Sequence, residues 1–160
     1  MGYNSFPKDG ISLPLSVKVK KLVPEAVIPF YAKPGDAGMD ITCTSFEYDK
    51  EHDCYMYHSG LTFELPAGYV MLIFPRSSNR KTDYYLCNHV GVLDSGYRGE
   101  LMLAFKKRDD NSENYNKPPY QVGDRIGQII ILPYPIIQMI ESDSLEESER
   151  GIGGFGSTGK

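Results

Sequence analysis

The chain of 160 residues is 41% hydrophobic and 24% charged, with a formal net charge of −4. This length suits a single domain, and no apolar run approaches the roughly 18 residues of a membrane helix, so we expect neither a second domain nor a membrane span. The acidic balance gives no reason to expect a nucleic-acid binder, which normally carries a basic surface.

The first residues and the cysteines indicate the cellular compartment of the protein. Residues 1–21 lack the basic segment and apolar core of an export signal. The three cysteines, Cys43, Cys54 and Cys87, are odd in number and widely spaced, which argues against a disulfide framework and for a reducing interior. We therefore expect a cytoplasmic protein.

Short segments rich in β-branched and aromatic residues, separated by Gly, Pro, Asn and Asp, predict an all-β fold. The predicted strands are Ser16–Leu22, Met39–Phe46, Cys54–His58, Leu61–Leu65, Tyr69–Phe74, Tyr84–Asn88, Tyr97–Phe105, Arg125–Leu132 and Ile136–Glu141. Only residues 78–83 could start a helical turn. Strands this short and numerous favour a sandwich, a jelly roll or a barrel.

Residues 34–40 (PGDAGMD) form a Gly-rich turn that leads into a predicted strand. Asp40 lies at the first positions of that strand, where Asp is disfavoured, and this suggests a role other than turn formation. Further along, His52, Cys54 and His58 could share a strand face as metal ligands. Their spacing matches no strong zinc pattern, so we favour a solvated hairpin there.

A basic element follows the apolar strand Tyr69–Phe74. A proline ends that strand, so Arg76 and the hydroxyls of Ser77 and Ser78 lie at its exposed end, where they can donate hydrogen bonds to phosphate oxygens. A plain turn is the alternative. The next residues, 79–81 (NRK), either add positive charge beside the phosphates or form a solvated loop.

The central stretch, residues 88–100 (NHVGVLDSGYRGE), brings one carboxylate to a tight turn. An apolar run leads to Asp94, a Ser-Gly pair follows, and Tyr97 stands at the start of the next predicted strand. Either this is a β-hairpin whose Asp caps its turn, or it is a built site. The stretch by itself does not separate these interpretations.

Two later segments are polar in different ways. Lys106–Gln121 is too hydrophilic for a core and contains a Pro-Pro pair, so we predict an exposed loop without catalytic residues. In the strand Arg125–Leu132, Gln128 shares a face with Ile126 and Ile130. Its amide is either satisfied by the backbone or directed at a ligand.

The chain ends in an acidic run followed by residues 150–159 (RGIGGFGSTG), half of which are glycine. Glycines allow consecutive backbone N–H groups to form an anion-binding nest, to which Arg150, Ser157 and Thr158 add a guanidinium and two hydroxyls. Phe155, at the centre, could stack on a flat ligand. The alternative is a disordered Gly-Ser tail, since such a segment buries too little apolar surface to order itself.

Together, five segments resemble the five motifs of the homotrimeric dUTPase family. In order, they are PGDAGMDI, PRSS, NHVGVLDSGYRGE, GDRIGQIII and RGIGGFGSTG, and they extend from residue 34 to residue 159. The resemblance implies a distorted jelly-roll or β-barrel-like protomer with at most a short helical turn. It also implies a homotrimer with sites at the subunit interfaces. We expect residues 1–141 to form the β-rich part and residues 142–160 a flexible C-terminal arm of the same domain, which closes a neighbouring subunit's site.

The reaction implied by the resemblance is hydrolysis of dUTP to dUMP and diphosphate, with Mg2+ bound to the triphosphate. Asp94 aligns with the general base that activates the water attacking the α-phosphorus. Tyr97 aligns with the ring that packs under the deoxyribose and leaves no room for a 2′-hydroxyl. The backbone that reads uracil corresponds to Asn88, Gly91, Val92 and Leu93.

The same alignment gives the remaining site positions. The residues that would contact the phosphate chain are Arg76, Ser77, Ser78 and Gln128. The arm would bring Arg150, Ser157 and Thr158 to the terminal phosphate, and Phe155, beside Gly156, over the uracil. Asp40 would reach the metal only through water, so the resemblance implies no direct protein ligand to Mg2+.

Two other functions are weighed against this one. The dCTP deaminase family is similar in fold and has an Arg-Ser-Ser element, but it places a catalytic Glu where this chain has Ala104. A nucleotide-binding regulatory homologue without catalysis would not need the carboxylate of Asp94. We therefore expect an enzyme whose small-molecule substrate is dUTP.

Overall fold

The computed structural model describes residues 15–108 and 117–154. Within them, the strands are β1 (Lys18–Lys21), β2 (Met39–Thr42), β3 (Ser45–Asp49), β4 (Cys54–His58), β5 (Leu61–Glu64), β6 (Tyr69–Phe74), β7 (Tyr84–Leu86), β8 (Gly91–Leu93), β9 (Met102–Lys107) and β10 (Arg125–Pro133). A short 3-10 turn, Ser77–Lys81, begins one residue earlier than predicted. The described ranges contain no helix long and apolar enough to cross a membrane.

Two four-stranded antiparallel sheets form the body of the fold. Their strand orders are β2-β10-β6-β8 and β3-β4-β9-β7, and β1 pairs with β5 in a separate ribbon. Most neighbours are far apart in the sequence, which is typical of jelly-roll connections, where the chain passes repeatedly between sheets. The all-β, jelly-roll-like class expected from the sequence is confirmed. The predicted strand Met39–Phe46 is divided between the two sheets, as β2 and the start of β3.

The core joins the inward faces of both sheets. Strand alternation turns Met71 of β6 and Phe105 of β9 inward, and both side chains are fully buried. The sheets approach closely at Gly127 of β10, where a Cβ would lie 2.5 Å from a methyl group of Leu103 in β9 and 3.1 Å from the backbone oxygen of Phe74. A larger residue at this position would therefore force its neighbours to shift.

The stretch around Asp94 does not form the hairpin that was one of its two interpretations. β7 pairs with β9, whereas β8 pairs with β6 in the other sheet. The predicted strand Tyr97–Phe105 begins only at Met102, because the residues before it carry the chain from one sheet to the other. The hairpin alternative for this stretch is therefore wrong: Asp94 and Tyr97 lie in a crossover connection between sheets.

Part of the predicted loop Lys106–Gln121 is attached to the core, although we predicted an exposed loop. β9 continues to Lys107, and residues 109–116 lie outside the described residues. Tyr120, near the end of the loop, is buried; its hydroxyl donates to Asn79 Oδ1 (3.0 Å) and its backbone N–H donates to the Tyr57 hydroxyl (3.1 Å). Burial raises the pKa of Tyr57, so this phenol remains neutral in the core.

The predicted last strand, Ile136–Glu141, is wrong for the single chain. No strand of the described residues pairs with this segment, and Ile136 and Met139 are 93% and 88% exposed. The segment has the apolar residues of a strand but pairs with no sheet edge of the described chain. A contiguous exposed apolar segment of this kind commonly marks a surface for another protein chain.

Candidate active site

A cavity of about 390 Å³ opens beside the sheet crossover. The predicted residues of the central stretch that line it are Asn88, Gly91, Val92, Leu93, Asp94 and Tyr97. The opposite walls are largely apolar, with Met56, Ile73 and Leu103 among them. Cys87 also contributes, and burial raises the pKa of its thiol, so it forms an uncharged part of the wall.

β8 forms one side of this cavity and lies at the edge of its sheet. An edge strand keeps backbone N–H and C=O groups directed away from the sheet, where they can bind a ligand. Gly91 permits close packing at this point, since a Cβ would lie 2.9 Å from Cδ1 of Ile73. His89, at φ 58°, bends the chain into β8, and its N–H donates to Leu86 O at 2.9 Å.

The carboxylate of Asp94 stands at the rim of the cavity. It follows directly after β8 and is exposed, and no other described side chain or backbone group bonds to it. Its backbone carbonyl accepts a hydrogen bond from the Tyr97 N–H at 3.1 Å, which closes the turn. The turn is thus held by the main chain, which leaves the carboxylate free to accept a proton.

Tyr97 is fixed from two directions. Its hydroxyl donates to the backbone oxygen of Glu100 at 3.1 Å. Its ring rests on Gly99, where any Cβ would collide with the phenol. The ring can therefore act as a rigid wall of the cavity.

A second cluster of predicted residues lies around β2 and β10. The two oxygens of Asp40 accept hydrogen bonds from Arg76 Nε (2.7 Å) and Arg125 Nη1 (3.0 Å). The Gln128 Nε2 donates to Pro75 O at 3.1 Å, and a Cβ on Gly38 would lie 2.8 Å from Gln128 Oε1. Gln128 therefore fits both interpretations of its amide. One end of the amide bonds to the backbone, and the other faces a cavity of about 370 Å³ that Asp40 also lines.

The serines of the basic element lie beside this second cluster. Ser77 begins the 3-10 turn and is exposed. Ser78 Oγ lies 3.5 Å from Nη1 of Arg76. The hydroxyl of Ser78 thus lies beside the guanidinium, at the end of β6.

The two clusters are far apart within one chain. The register of β6 and β8 pairs Met71 with Leu93 and Ile73 with Gly91, so Asp94 lies level with Val70. Arg76 lies about six residues further along, or on the order of 20 Å at about 3.3 Å per residue. Asp94 and Arg76 therefore occupy opposite ends of the sheet.

The C-terminal segment is described as far as residue 154. Arg150 is exposed in a turn, where its Nε donates to Gly153 O at 3.0 Å. Phe155, Gly156, Ser157 and Thr158 lie outside the described residues. The described part of the arm therefore contacts neither cluster through Arg150.

A model of the dUTPase family matches residues 24–159. The chain belongs to the dUTPase family. It is similar to the deoxyuridine 5′-triphosphate nucleotidohydrolase of Wolinella succinogenes, at 36% identity over 91% of this chain and 95% of that one. The corresponding protein of Rhodococcus erythropolis is 35% identical over 91% and 87%. These findings confirm the family and the enzyme class expected from the sequence.

Solved dUTPase structures share the fold. The dUTPase of Staphylococcus bacteriophage 80alpha, solved with dUPNHPP, has a TM-score of 0.75 at 25% identity and covers 91% of this chain and 99% of its own. A mutant dUTPase of phage phi11 of S. aureus has a TM-score of 0.68 at 22% identity, with coverage of 82% and 99%; its structure describes coordination of a structural Mg(II) ion.

The metal alternative for His52, Cys54 and His58, which the sequence already disfavoured, has no support among the described residues. His52 Nδ1 lies 2.7 Å from Asp49 Oδ2, whereas His58 Nδ1 lies 3.0 Å from Glu100 Oε2. Among the described residues, no group of three or more His, Cys, Asp or Glu side chains is arranged to hold a metal ion. Cys54 is buried, so this hairpin is less solvated than predicted.

Sequence reasoning missed Arg125 and Glu100. Arg125 precedes the apolar run of the GDRIGQIII motif, so a cation at the start of that strand was a usable signal. Its pairing with Asp40 depends on β2 and β10 lying side by side, which the local sequence does not specify. Glu100 was given no role from the sequence, although both of its carboxylate oxygens are hydrogen-bonded.

Proposed function

We propose that this chain hydrolyses dUTP to dUMP and diphosphate, with Asp94 as the general base for the attacking water. The observation that carries the proposal is the exposed carboxylate of Asp94, unpaired within the described residues, at the rim of the cavity that Tyr97 also lines. A carboxylate in this state can take a proton from water at the moment of attack. Family membership supplies the substrate class.

The cavity supports recognition of the base and sugar. The outward backbone groups of β8 offer fixed donors and acceptors to the edge of uracil, and cytosine would present the reverse pattern at its N3 and C4 positions. A thymine methyl group would overfill the pocket. The fixed ring of Tyr97 would lie under the deoxyribose and exclude a 2′-hydroxyl. Asn88, Val92 and Leu93 would frame the base.

The second cluster supports binding of the phosphate chain. Arg76, Ser77, Ser78 and Gln128 would supply donors to phosphate oxygens, and we add Arg125 as the residue that holds Asp40 against Arg76. Since both Asp40 oxygens already accept hydrogen bonds from arginines, a Mg2+ ion would fit here through phosphate oxygens and water, with Asp40 in its outer sphere. When bound, the ion would neutralise charge on the triphosphate.

The distance between the clusters supports a site shared between copies of the chain. A triphosphate cannot extend over the length of β6, so Asp94 and the Arg76 cluster of one chain cannot act on the same nucleotide. A homotrimer, in which Asp94 of one copy meets Arg76 of the next, resolves this. The exposed apolar residues Ile136 and Met139 would be covered in such an assembly.

The arm would complete the site. Residues 142–160 follow the exposed apolar segment, so they can extend over a neighbouring copy. Arg150, Ser157 and Thr158 would bind the terminal phosphate, and Phe155, next to Gly156, would cover the uracil. The acidic charges of residues 141–149 would then remain at the surface.

A nucleotide panel tests the activity. With Mg2+ present, we expect diphosphate release from dUTP to exceed release from dTTP by about 10- to 200-fold, the discrimination that one methyl group allows. We expect larger ratios for dCTP and UTP, because each would leave a polar or steric mismatch. Diphosphate is measured by a coupled assay in each case. Equal rates for the four nucleotides would contradict the proposal.

Complementation between two inactive chains tests the shared site. We expect Asp94→Asn and Arg76→Ala each to be inactive alone. Refolded together in equal amounts, they would form mixed trimers in which about a quarter of the sites have both native residues. Steady-state turnover should recover accordingly, whereas each chain refolded alone is the control. No recovery in verified mixed trimers would place both residues in one chain's site.

A further inference from the structure

His58, at the end of β4, lies between two carboxylates. Its Nδ1 is 3.0 Å from Glu100 Oε2, and its Nε2 is 3.9 Å from Glu47 Oε1. An ionised carboxylate only accepts hydrogen bonds, so Nδ1 of His58 carries the proton. The side chains of His58 and Glu100 are 26% and 22% exposed, whereas His52, in the pair with Asp49, is 69% exposed. Water therefore screens the pair of His58 and Glu100 much less than the pair of His52 and Asp49.

Glu100 connects this histidine to the candidate sugar site. Its second carboxylate oxygen, Oε1, accepts a hydrogen bond from the Gly60 N–H at 2.7 Å. Its side chain is therefore fixed to the connection between β4 and β5. Its backbone oxygen accepts the hydroxyl of Tyr97 at 3.1 Å. One residue thus bonds to His58 through its side chain and to Tyr97 through its main chain.

The crossover segment has other attachments that maintain the fold. Thr62 Oγ1 donates to Arg98 O at 2.8 Å, and the Leu101 N–H donates to Leu61 O at 2.8 Å. These contacts hold the segment against β5 without His58. What His58 adds is the orientation of Glu100, the residue whose carbonyl receives the Tyr97 hydroxyl.

We propose that His58 is a positioning residue which, through Glu100, fixes Tyr97 and thereby sets the discrimination between 2′-deoxy and 2′-hydroxy nucleotides. The inference rests on the proposed function. Rejection of a hydroxyl by a ring requires that the ring keeps its position. The backbone of Gly99 supports one side of the ring, and the hydrogen bond from the Tyr97 hydroxyl to the Glu100 backbone oxygen holds its far end. His58 itself does not touch the nucleotide.

The test compares His58→Ala with the native protein by kcat/KM for dUTP and for UTP. We expect the dUTP/UTP ratio to fall about five- to tenfold, which is less than the direct loss of a charge-assisted hydrogen bond would produce, because His58 acts through Glu100. Most of the change should come from a lower KM for UTP. His58→Gln keeps a donor and should recover part of the ratio. The matched control is His52→Ala, which removes an exposed histidine–carboxylate pair far from Tyr97 and should leave the ratio unchanged.

A double-mutant cycle separates positioning from general stability. Tyr97→Phe keeps the ring but removes the hydroxyl that bonds to Glu100. If His58 acts through that bond, His58→Ala should change the ratio much less in the Phe background than in the native one. Equal changes in both backgrounds, or an unchanged ratio, would overturn the inference. If His58→Ala does not fold, Glu100→Gln, which can keep the Gly60 contact, replaces it in the same cycle.

Binding experiments distinguish failure of this inference from failure of the proposed function. Dissociation constants of dUMP and UMP, measured by calorimetry, report the sugar preference without turnover. Absence of dUTP hydrolysis by the native protein would contradict the proposed function, and the dUMP/UMP ratio would still test His58. Normal hydrolysis with ratios that His58→Ala leaves unchanged would overturn the positioning role alone.

Discussion

Asp94→Asn is expected to lower kcat for dUTP by about 10²- to 10⁴-fold, the range that general-base catalysis contributes. The amide has nearly the shape of the carboxylate but cannot accept the proton of the attacking water. The turn should persist, because its hydrogen bond joins the Tyr97 N–H to the backbone oxygen of residue 94. We therefore expect an unfolding free energy within about 0.5 kcal/mol of the native value.

The measurements are steady-state diphosphate release, calorimetric binding of a non-hydrolysable dUTP analogue and urea unfolding. Asp83→Asn is the matched control, since it removes an exposed carboxylate outside both clusters. Binding of the analogue by Asp94→Asn should remain within a few-fold of native. Turnover close to the native rate would exclude Asp94 as the base, and loss of binding would assign it to the recognition of substrate instead.

Removal of residues 151–160 is expected to lower kcat/KM by about 10²-fold or more while the β-rich body remains folded. Loss of one preorganised donor to a developing charge typically costs about 10²- to 10³-fold in kcat, and this deletion removes two hydroxyls and the ring of Phe155. Stability should change little, because Gly151 and Ile152 are exposed and bury no apolar surface in the described fold.

Circular dichroism, sedimentation and the diphosphate assay check this expectation together. Phe155→Ala in the full-length chain is the companion variant, since it removes the ring and retains the phosphate donors of the arm. It should raise KM more than it lowers kcat. Unfolding or dissociation of the truncated protein would show that the arm is a structural element, and unchanged kcat/KM would remove it from the active site.

Local patterns predicted much of the fold but not its connectivity. Alternation and turn residues located the strands Cys54–His58 and Tyr69–Phe74 with the bounds that the structure has. The same patterns could not predict that β8 and β9 belong to different sheets, because alternation shows which face is buried and not which strand is adjacent. The sequence therefore did not exclude the hairpin alternative for the stretch around Asp94.

Individual site residues were easier to predict from the sequence than the contacts between them. The sequence indicated Asp40, Arg76 and Gln128 individually, and the structure places them together at one end of a sheet. Arg125 was missed because its contact with Asp40 joins residues separated by 85 positions. Ile136–Glu141 shows the complementary limit: its apolar pattern predicted a strand, whereas the structure leaves the segment unpaired within the described residues and exposed.

The separation of Asp94 and Arg76 at opposite ends of β6 and β8 has a thermodynamic consequence. If each site takes one residue from each of two copies, an isolated chain contains no complete site. Nucleotide then binds the assembled form in preference to the free protomer, and by mass action it shifts the association equilibrium toward assembly. Substrate supply would regulate the quaternary state of the enzyme, and dilution below the dissociation constant of the assembly would abolish activity without any unfolding.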